Sequence, residues 1–412
     1  MRAVVVAVQL PEVDDRAFTA SVAELHRLAQ TLGLEVAETV TQKRDTLDAA
    51  AVVGSGKLTD LQTLVKAEAG GPIEAVLVDH DITPSQARNL EKATGVEVLD
   101  RTAVILEIFR RHARSRAAKA QVEIVRLQYM VPRLRESGKG KDRQRGGIGG
   151  KGAGESALEL DRRKIRDRIA ELTRELEALA EEQRTQRARR RDMSRVALVG
   201  YTNAGKSTLM RALTGSQVFV ANQLFATLDT TVRPLQPPTR PRILLSDTVG
   251  FIDKLPHGLV ASFKSTLDEA LEAGLLAQVI DASDPNFERQ LQVTSEVLAE
   301  IGAGDVPRLL VFNKIDLTGD EPAATQALLA RWPEALVISA RRAEDVARLH
   351  GWLAAFFARD LVEGELRVPY DRQQLRGEIF AACEVLGERY EDDAVVFQVR
   401  ARPDVLARWR DG

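Results

Sequence analysis

One glycine-rich octapeptide constrains the fold of this chain more than any other feature. The run Gly200-Tyr201-Thr202-Asn203-Ala204-Gly205-Lys206-Ser207 matches the pattern G-x-x-x-x-G-K-[ST], and it lies between the apolar stretch Val196–Val199 and a helix-like stretch that begins at Thr208. In this strand–loop–helix context, successive backbone N–H groups and the helix N-terminus can hold the phosphates of a nucleoside triphosphate. We expect Lys206 to reach the β- and γ-phosphates and the Ser207 hydroxyl to bind Mg²⁺. The octapeptide therefore predicts an α/β P-loop domain with Gly200 through Thr208 at the nucleotide.

The composition indicates a protein of a reducing compartment. The chain has 412 residues, a length that predicts two to four domains. Cys383 is its only cysteine, so no intrachain disulfide can form. The N-terminal apolar run meets Pro11 and then acidic residues, which is typical of a first strand rather than of a signal peptide. Because no uncharged stretch approaches the roughly 18 residues of a membrane span, we expect a cytoplasmic protein without a membrane partner.

Strand-like and helix-like pieces alternate in residues 1–106 and again in residues 193–360, which predicts two α/β domains, the first with a mainly parallel sheet. A small α+β module follows at 361–412. The predicted strands are Val4–Val8, Val52-Val53, Ala75–Asp79, Val96–Leu99, Val196–Val199, Ile243–Leu245, Ala277–Ile280, Leu309–Phe312, Leu336–Ile338 and Ala394–Val399. The predicted helices are Phe18–Leu32, Lys57–Ala69 and Pro84–Thr94, then about 206–213, 258–273, 286–301, 322–331, 344–358 and 372–390.

The middle segment, residues 107–192, carries two short heptad seams. Apolar residues or alanines recur in both at alternating spacings of four and three, which predicts an antiparallel helical hairpin. Two charged surface helices joined by a disordered linker are the alternative. Pro132 is expected to kink or end the first helix. The seam positions are Ala113, Ala117, Ala120, Ile124, Leu127, Val131 and Leu134, then Ile165, Ile169, Leu172, Leu176 and Leu179.

Positive charge is concentrated in this predicted hairpin. From Arg110 to Arg195 there are 25 lysines and arginines against 13 acidic residues, whereas the whole chain has a net charge of −2. Such an uneven distribution indicates a polyanionic partner for the hairpin. Its tip, residues 137–155, is rich in glycine and basic residues, and we expect it to be a flexible loop.

A carboxylate and a glycine after the next predicted strand extend the phosphate site. The run Asp247-Thr248-Val249-Gly250 directly follows the apolar strand Ile243–Leu245. We expect Asp247 to hold the Mg²⁺ shell through a water, and the Gly250 N–H to contact the γ-phosphate. The pattern D-x-x-G is common by itself, so this prediction depends on its position directly after the apolar strand.

The run Asn313-Lys314-Ile315-Asp316 predicts that the base is guanine. A carboxylate at Asp316 can accept hydrogen bonds from guanine N1–H and N2–H₂, whereas adenine lacks this pair of donors. We expect Lys314 to stack along the base and Asn313 to tie this loop to the phosphate loop. Ser339-Ala340-Arg341 follows the last strand of the domain, where a backbone N–H can contact guanine O6. The predicted ligand is therefore GTP or GDP.

A mobile switch segment is expected between the phosphate loop and the D-x-x-G run. Our candidate is Phe225-Ala226-Thr227-Leu228-Asp229. Thr227 is the predicted second hydroxyl ligand of Mg²⁺, and Thr230 and Thr231 are alternatives. The residues expected to act on the transferred phosphate are Lys206, Thr227 and Gly250.

Phe251 stands directly after Gly250, where many GTPases place a glutamine that orients the attacking water. A phenylalanine side chain has no group that can orient a water molecule. We therefore expect slow intrinsic hydrolysis that a partner stimulates.

Together these motifs resemble the HflX family of the Obg–HflX superfamily of P-loop GTPases. Apart from the nucleotide motifs, the resemblance is carried by three stretches and covers nearly the whole chain, with the last 50 or so residues least diagnostic. The chain departs from the family pattern at Thr230, where proline is more common. The three stretches are 127–134, 146–155 with Leu158 and Glu159, and 222–229.

The resemblance implies a cytoplasmic GTPase that associates with the large (50S) ribosomal subunit in ribosome splitting or rescue, or in subunit assembly. Ribosomal RNA is a dense polyanion, and basic residues gain affinity for it by releasing condensed counterions. We expect the tip of the hairpin to contact RNA by shape rather than by sequence, and the protein to be monomeric. The candidate RNA contacts are Lys139, Lys141, Arg143, Arg145 and Lys151.

A second, incomplete phosphate-loop pattern occurs at Gly54-Ser55-Gly56-Lys57. Ala51 occupies the place of the first glycine and Leu58 that of the Ser or Thr, so we interpret this run as a strand-to-helix turn. Weak binding of a nucleotide or of RNA phosphate there is the alternative. With such binding, the protein would be an RNA-remodelling NTPase that uses the N-terminal domain, and this alternative stays open. A third function, a metabolic P-loop kinase, is opposed by the N-K-x-D run.

Overall fold

The structure is a computed structural model that describes residues 1–67, 71–134, 157–188, 193–216, 224–225, 227–228, 230–255, 259, 269–372 and 374–411. Contacts within the chain define two compact units. The first is built from Met1–Ala180, and the second from Glu181–Leu255 together with the chain after residue 268. Within the described ranges, no helix is both long enough and apolar enough to cross a membrane.

The first unit begins with a four-stranded parallel sheet in the order β2-β1-β3-β4. The interior strand β1 is almost fully buried, as is usual for parallel sheets. These strands are β1 (Arg2–Gln9), β2 (Glu35–Lys43), β3 (Ile73–Val78) and β4 (Glu97–Asp100). The helices are α1 (Asp15–Thr31), α2 (Ser55–Lys66), α3 (Pro84–Thr94) and α4 (Arg101–His112). The mainly parallel sheet predicted for this part of the chain is confirmed.

The predicted strand at Val52-Val53 is wrong. Val52 has a φ of 68° and forms only an isolated bridge with Asp48, so the chain turns there. The second strand is instead β2, which lies at the edge of the sheet and buries only Val40. Because an edge strand is mostly solvated, its polar residues hid the strand signal.

The predicted helical hairpin is confirmed in its central part, where α5 (Arg116–Met130) packs against α6 (Ala157–Ala188). Arg116, at the start of α5, forms a 2.9 Å ion pair with Glu175 in the second half of α6, so the two helices run antiparallel. Their shared cluster contains Ala120, Ile124, Leu127, Ile165, Ile169, Leu172 and Leu176.

The ends of this hairpin differ from the prediction or fall beyond the described ranges. Ala113 is not part of α5, because a new helix begins after Ser115, whose hydroxyl caps it by accepting the Ala118 N–H. Pro132 lies in a short 3-10 turn, Val131–Arg133, that ends the first helix as expected. The tip at 137–155, with its five candidate RNA contacts, lies outside the described residues.

The second unit contains a six-stranded sheet in the order β10-β9-β8-β5-β7-β6, in which only the pairing of β6 with β7 is antiparallel. All five strands predicted here are confirmed, and β6 was not predicted. The strands are β5 (Ser194–Gly200), β6 (Thr231–Pro234), β7 (Ile243–Asp247), β8 (Leu275–Asp281), β9 (Arg308–Asn313) and β10 (Leu336–Val337). The helices are α7 (Lys206–Thr214), α8 (Phe287–Glu300), α9 (Glu321–Arg331) and α10 (Ala343–Ala358). The predicted helix 258–273 lies mostly outside the described residues.

The chain ends in a three-stranded antiparallel sheet of order β11-β13-β12. Here the predicted helix 372–390 is wrong: it is confined to Leu375–Ala382, and a strand follows it. That strand pairs along its length with the next one, and this tertiary pairing overrides local helix propensity. The elements are β11 (Val362–Pro369), α11 (Leu375–Ala382), β12 (Glu384–Tyr390), β13 (Ala394–Ala401) and α12 (Pro403–Asp411).

Candidate nucleotide-binding site

The predicted nucleotide residues converge at the carboxyl ends of the parallel strands in the second unit. Strand β5 lies between β7 and β8, and the phosphate loop joins it to α7. Open α/β sheets bind ligands at this kind of edge. A cleft of about 320 Å³ is lined by Thr202, Asn203, Gly205, Lys206, Ser207, Thr208, Phe225, Thr227, Thr248, Gly250, Asn313, Lys314, Asp316, Leu317, Ser339, Ala340 and Arg341.

The remaining predicted nucleotide residues either lie behind the residues that line the cleft or fall outside the described part of the chain. Gly200, Tyr201 and Ala204 form the back of the phosphate loop. Leu228, Asp247, Val249 and Ile315 are buried, and Ala226 and Asp229 lie outside the described residues. Leu317 lines the cleft without having been predicted; nothing in its residue type marks it as a binding residue.

Close contacts explain why the phosphate loop requires its two glycines. A Cβ on Gly200 would lie 2.2 Å from the carbonyl oxygen of Val279, and one on Gly205 would lie 2.2 Å from Nδ2 of Asn313. Both glycines have positive φ, 145° and 100°, which disfavours any larger residue. The loop is therefore shaped by its neighbours in β8 and β9.

Lys206 lies buried beneath the loop, 6% exposed. Its ammonium group donates to the carbonyl oxygens of Gly200 and Tyr201 at 3.0 and 2.9 Å. Burial lowers the pKa of Lys206 to about 8, although the nearby Asp247 carboxylate opposes the shift. A phosphate chain beside Lys206 would supply negative charge in place of the lost water and favour the ammonium form.

The three predicted Mg²⁺ residues lie within hydrogen-bonding distance of one another. Ser207 Oγ is 2.8 Å from Thr227 Oγ1, and both hydroxyls donate to Oδ2 of Asp247, at 2.8 and 3.0 Å. This geometry favours Thr227 over Thr230 and Thr231. Oδ1 of Asp247 is buried and accepts no hydrogen bond from the described residues.

These groups fit a magnesium ion. Carboxylate and hydroxyl oxygens are the ligands that Mg²⁺ takes in proteins, usually with several waters. Burial raises the pKa of Asp247, against the opposing effects of Lys206 and of the Ser207 and Thr227 hydroxyls. A divalent cation held near this carboxylate would favour its ionised form.

The two loops predicted to hold guanine are connected by hydrogen bonds. Asn313 donates from Nδ2 to the carbonyl oxygen of Ala204 and accepts the Ala340 N–H at Oδ1, both at 2.9 Å. Asp345 accepts the Ser339 N–H at 2.8 Å. The Asn313 contact is the tie to the phosphate loop that the sequence predicted.

One side-chain partner of the predicted base loop escaped the sequence analysis. Asp281, at the end of β8, accepts a 2.7 Å hydrogen bond from Nζ of Lys314. Lys314 itself has a φ of 62°, so its backbone turns sharply at the base loop. A carboxylate at the carboxyl end of a buried parallel strand is the signal that could have identified Asp281.

The side chain of Phe251 is fully buried and does not line the described cleft. Its N–H donates to Gly200 O at 3.1 Å, and its carbonyl oxygen accepts the Thr202 N–H at 2.7 Å. The backbone is thus tied to the phosphate loop while the ring belongs to the core.

The incomplete phosphate-loop pattern of the first unit lies at the start of α2. The Gly54 N–H donates to Oε1 of Gln42 at 3.0 Å, and Lys57 pairs with Asp60 at 3.3 Å. A Cβ on Gly54 would lie 2.6 Å from a guanidinium nitrogen of Arg44. These contacts place the run at the N-terminus of α2, after an irregular segment and not after the strand that was predicted at Val52-Val53.

The fold and the second unit's cleft together define a P-loop GTPase. Residues 195–314 match a family model described as a 50S ribosome-binding GTPase. Residues 19–110 and 112–190 match models described as the N-terminal part and the middle region of a GTP-binding GTPase. The chain belongs to the HflX family of GTPases, as the resemblance predicted. It binds GTP and hydrolyses it to GDP and phosphate.

Relatives match along nearly the whole chain. The GTPase HflX of Gluconacetobacter diazotrophicus is 53% identical over 98% of this chain and 96% of that protein. The GTPase HflX of Escherichia coli K12 is 39% identical over 92% of this chain and 88% of that protein. A solved complex of SsGBP with GDP has a TM-score of 0.50 and 24% identity, covering 86% of this chain and 100% of that one. This last similarity supports the fold.

Proposed function

We propose that this GTPase acts on the large ribosomal subunit and that Mg²⁺-dependent GTP hydrolysis times its action there, in subunit splitting, ribosome rescue or assembly. The observation that carries the proposal is the match of residues 195–314 to a GTPase model described as binding the 50S ribosome. The protein is proposed to work as a monomer in the cytoplasm.

Within the nucleotide site, each group has one proposed task. Lys206 and the backbone N–H groups of the phosphate loop hold the β- and γ-phosphates. Ser207 and Thr227 bind Mg²⁺ directly, and Asp247 holds it through a water. When bound, the ion neutralises charge that develops on the phosphate oxygens. Asp316 selects guanine, because the nucleobase of GTP supplies two donors to one carboxylate.

The surroundings of Phe251 support slow, partner-stimulated hydrolysis. The buried ring leaves the position after Gly250 without a polar side chain at the cleft. Another group of the site or a bound partner must then orient the attacking water. Binding to the ribosome is the proposed trigger.

The positive charge of residues 110–195 supports RNA as the surface that is contacted. Arg133, near the end of the described part of this helix, is held in place: its guanidinium donates to Asp100 at 2.8 Å and to Ile82 O at 2.9 Å. It also lies 3.6 Å from the ring centre of Tyr129. We propose that the basic tip beyond this anchor binds ribosomal RNA phosphates.

Co-sedimentation with separated ribosomal subunits tests the ribosome role. We expect binding to the large subunit that is stronger with a non-hydrolysable GTP analogue than with GDP. We also expect large subunits to accelerate GTP hydrolysis. Binding that is indifferent to the nucleotide, or that prefers the small subunit, would contradict the proposal.

Charge reversal tests the RNA contacts. Replacing Lys139, Lys141, Arg143, Arg145 and Lys151 with glutamate should weaken binding to the large subunit and reduce its salt dependence, since each lost phosphate contact removes about 0.7–0.9 from the log–log slope. The control reverses three basic residues that are exposed on α2 and α3, Lys66, Arg88 and Lys92. Equal effects of the two variants per reversed charge would refute a specific role for the tip.

A further inference from the structure

Thr202 contacts both segments that flank the phosphate site. Its N–H donates to the carbonyl oxygen of Phe251 at 2.7 Å, and its hydroxyl accepts the Phe225 N–H at 2.9 Å. Thr202 is only 7% exposed, so both bonds are shielded from water. One phosphate-loop residue thus joins the switch segment to the D-x-x-G segment.

The D-x-x-G segment fixes the position of Thr202. A Cβ on Gly250 would lie 2.8 Å from Cα and 3.0 Å from Cβ of Thr202, so the two backbones touch. The Thr202 hydroxyl is therefore presented from a rigid support. The hydroxyl oxygen can therefore accept a hydrogen bond from the switch segment at a fixed position.

Phe225 is held in an uncommon conformation at this point. Its φ is 57°, in the left-handed region that bulky residues rarely adopt, and its side chain is 1% exposed. Such a conformation persists where the surroundings determine it. The bond from the Phe225 N–H to Thr202 is one of the contacts that do so.

Thr227 follows Phe225 by two residues, and its hydroxyl lies 2.8 Å from Ser207 Oγ and 3.0 Å from Asp247 Oδ2. We propose that Thr202 is a positioning residue: its hydroxyl fixes Phe225, and this places the Thr227 hydroxyl among the Mg²⁺-binding oxygens. Thr202 thereby sets how strongly Mg²⁺ and nucleotide binding reinforce each other. The proposal rests on the Mg²⁺ site proposed above.

Two variants separate the effect of the Thr202 hydroxyl from that of the shape of the side chain. Thr202→Val keeps the shape and removes the acceptor, whereas Thr202→Ser keeps the acceptor. In full-length protein labelled with ¹⁵N-phenylalanine, the Phe225 resonance is one of 12 and can be assigned with Phe225→Leu. Without metal or nucleotide, we expect the Phe225 amide of Thr202→Val to exchange with solvent about tenfold faster than in the wild type. Thr202→Ser should exchange like the wild type.

The second measurement is the ratio of the affinities for a non-hydrolysable GTP analogue with and without Mg²⁺, because switch segments of GTPases are held by the γ-phosphate and its Mg²⁺. Loss of one shielded hydrogen bond corresponds to about a five- to tenfold smaller ratio in Thr202→Val, and Thr202→Ser should restore it. Thr202→Ala, which removes the hydroxyl without adding volume, should repeat both effects and serves if the valine variant does not fold.

Three outcomes would overturn the proposal. An unchanged Phe225 amide in Thr202→Val would show that the hydroxyl does not hold this residue. Faster exchange with an unchanged Mg²⁺ ratio would show that Thr227 is not placed by it. Failure of serine to restore both values would assign the effect to packing. If the wild-type affinity for the GTP analogue were independent of Mg²⁺, the proposed metal site itself would fail, whereas the amide measurement would still report on Phe225.

Discussion

Asn313 donates from its side-chain amide to the carbonyl oxygen of Ala204, 109 residues earlier in the chain, at 2.9 Å. The same side chain accepts the Ala340 N–H at 2.9 Å and is 1% exposed. Three loops that are predicted to hold the phosphates, the base and guanine O6 therefore meet at one buried amide. These two hydrogen bonds connect the three loops directly to one another.

Replacing Asn313 with alanine should lower GDP affinity by at least about tenfold, because it leaves the buried Ala204 carbonyl oxygen and the partly buried Ala340 N–H without this partner, and an unpaired buried polar group costs roughly 1–3 kcal/mol. Titration calorimetry with GDP measures the loss. Asn313→Asp is the informative companion: it can still accept from Ala340, but it places a carboxylate oxygen against the carbonyl oxygen of Ala204, so its GDP affinity should fall below that of the alanine variant. An aspartate variant that binds GDP as tightly as the wild type would show that the bond to Ala204 does not support the site.

Asp316→Asn should shift preference from guanine toward xanthine nucleotides. The amide can donate to the C2 carbonyl of xanthine, whereas it no longer accepts two bonds from guanine. Loss of hydrogen bonds to a charged group at roughly 1.5–3 kcal/mol each predicts a fall in GDP affinity of tenfold or more. Competition between GDP and XDP checks the reversal. Asp305→Asn, an exposed change just before β9, is the control and should leave the preference unaltered.

The nucleotide motifs could be predicted from the sequence because each is short and sits at the end of an apolar strand. The tie from Asn313 to the phosphate loop followed from the same patterns. Contacts between distant side chains could not be predicted, because they depend on strand order and on local backbone angles. The Asp281–Lys314 and Thr202–Phe225 pairs are examples of this kind.

The prediction of secondary structure failed where pairing with a distant strand determines the conformation. The edge strand β2 has a polar sequence, and β12 continues a helix-like stretch beyond Ala382. Each becomes a strand because a neighbouring strand supplies its hydrogen bonds. The packing of α5 against α6 could be predicted from the heptad spacing of their apolar residues. The helix break before Ser115 could not, because the alanines at 113 and 117 continue that spacing.

Phe251→Gln should not raise the intrinsic rate of GTP hydrolysis. The side chain at this position is fully buried, so a glutamine amide would enter the core instead of reaching water at the cleft. Loss of the ring and burial of an amide should destabilise the protein by roughly 2–4 kcal/mol. Single-turnover hydrolysis without ribosomes and thermal denaturation measure both effects, and Phe251→Leu is the apolar control. A glutamine variant that hydrolyses GTP about tenfold faster than wild type would show that this side chain can reach the cleft.

Cys383 should be unreactive in the folded protein near neutral pH. The thiol is 1% exposed, and burial raises its pKa from 9.0 to about 11. The thiolate is the nucleophile, so two pKa units alone predict a reaction with a disulfide reagent at pH 8 roughly a hundredfold slower than in guanidinium-unfolded protein. The pKa of the thiol is higher in the folded than in the unfolded state. The free energy of unfolding of the C-terminal module is therefore at its full value below pH 9, where the thiol is protonated in both states. It should fall by about 2–3 kcal/mol as the pH rises from 9 to 11. As Cys383 is the only cysteine, the unfolded control should take up one equivalent of label; equally rapid labelling of the native protein would show that this residue is not enclosed.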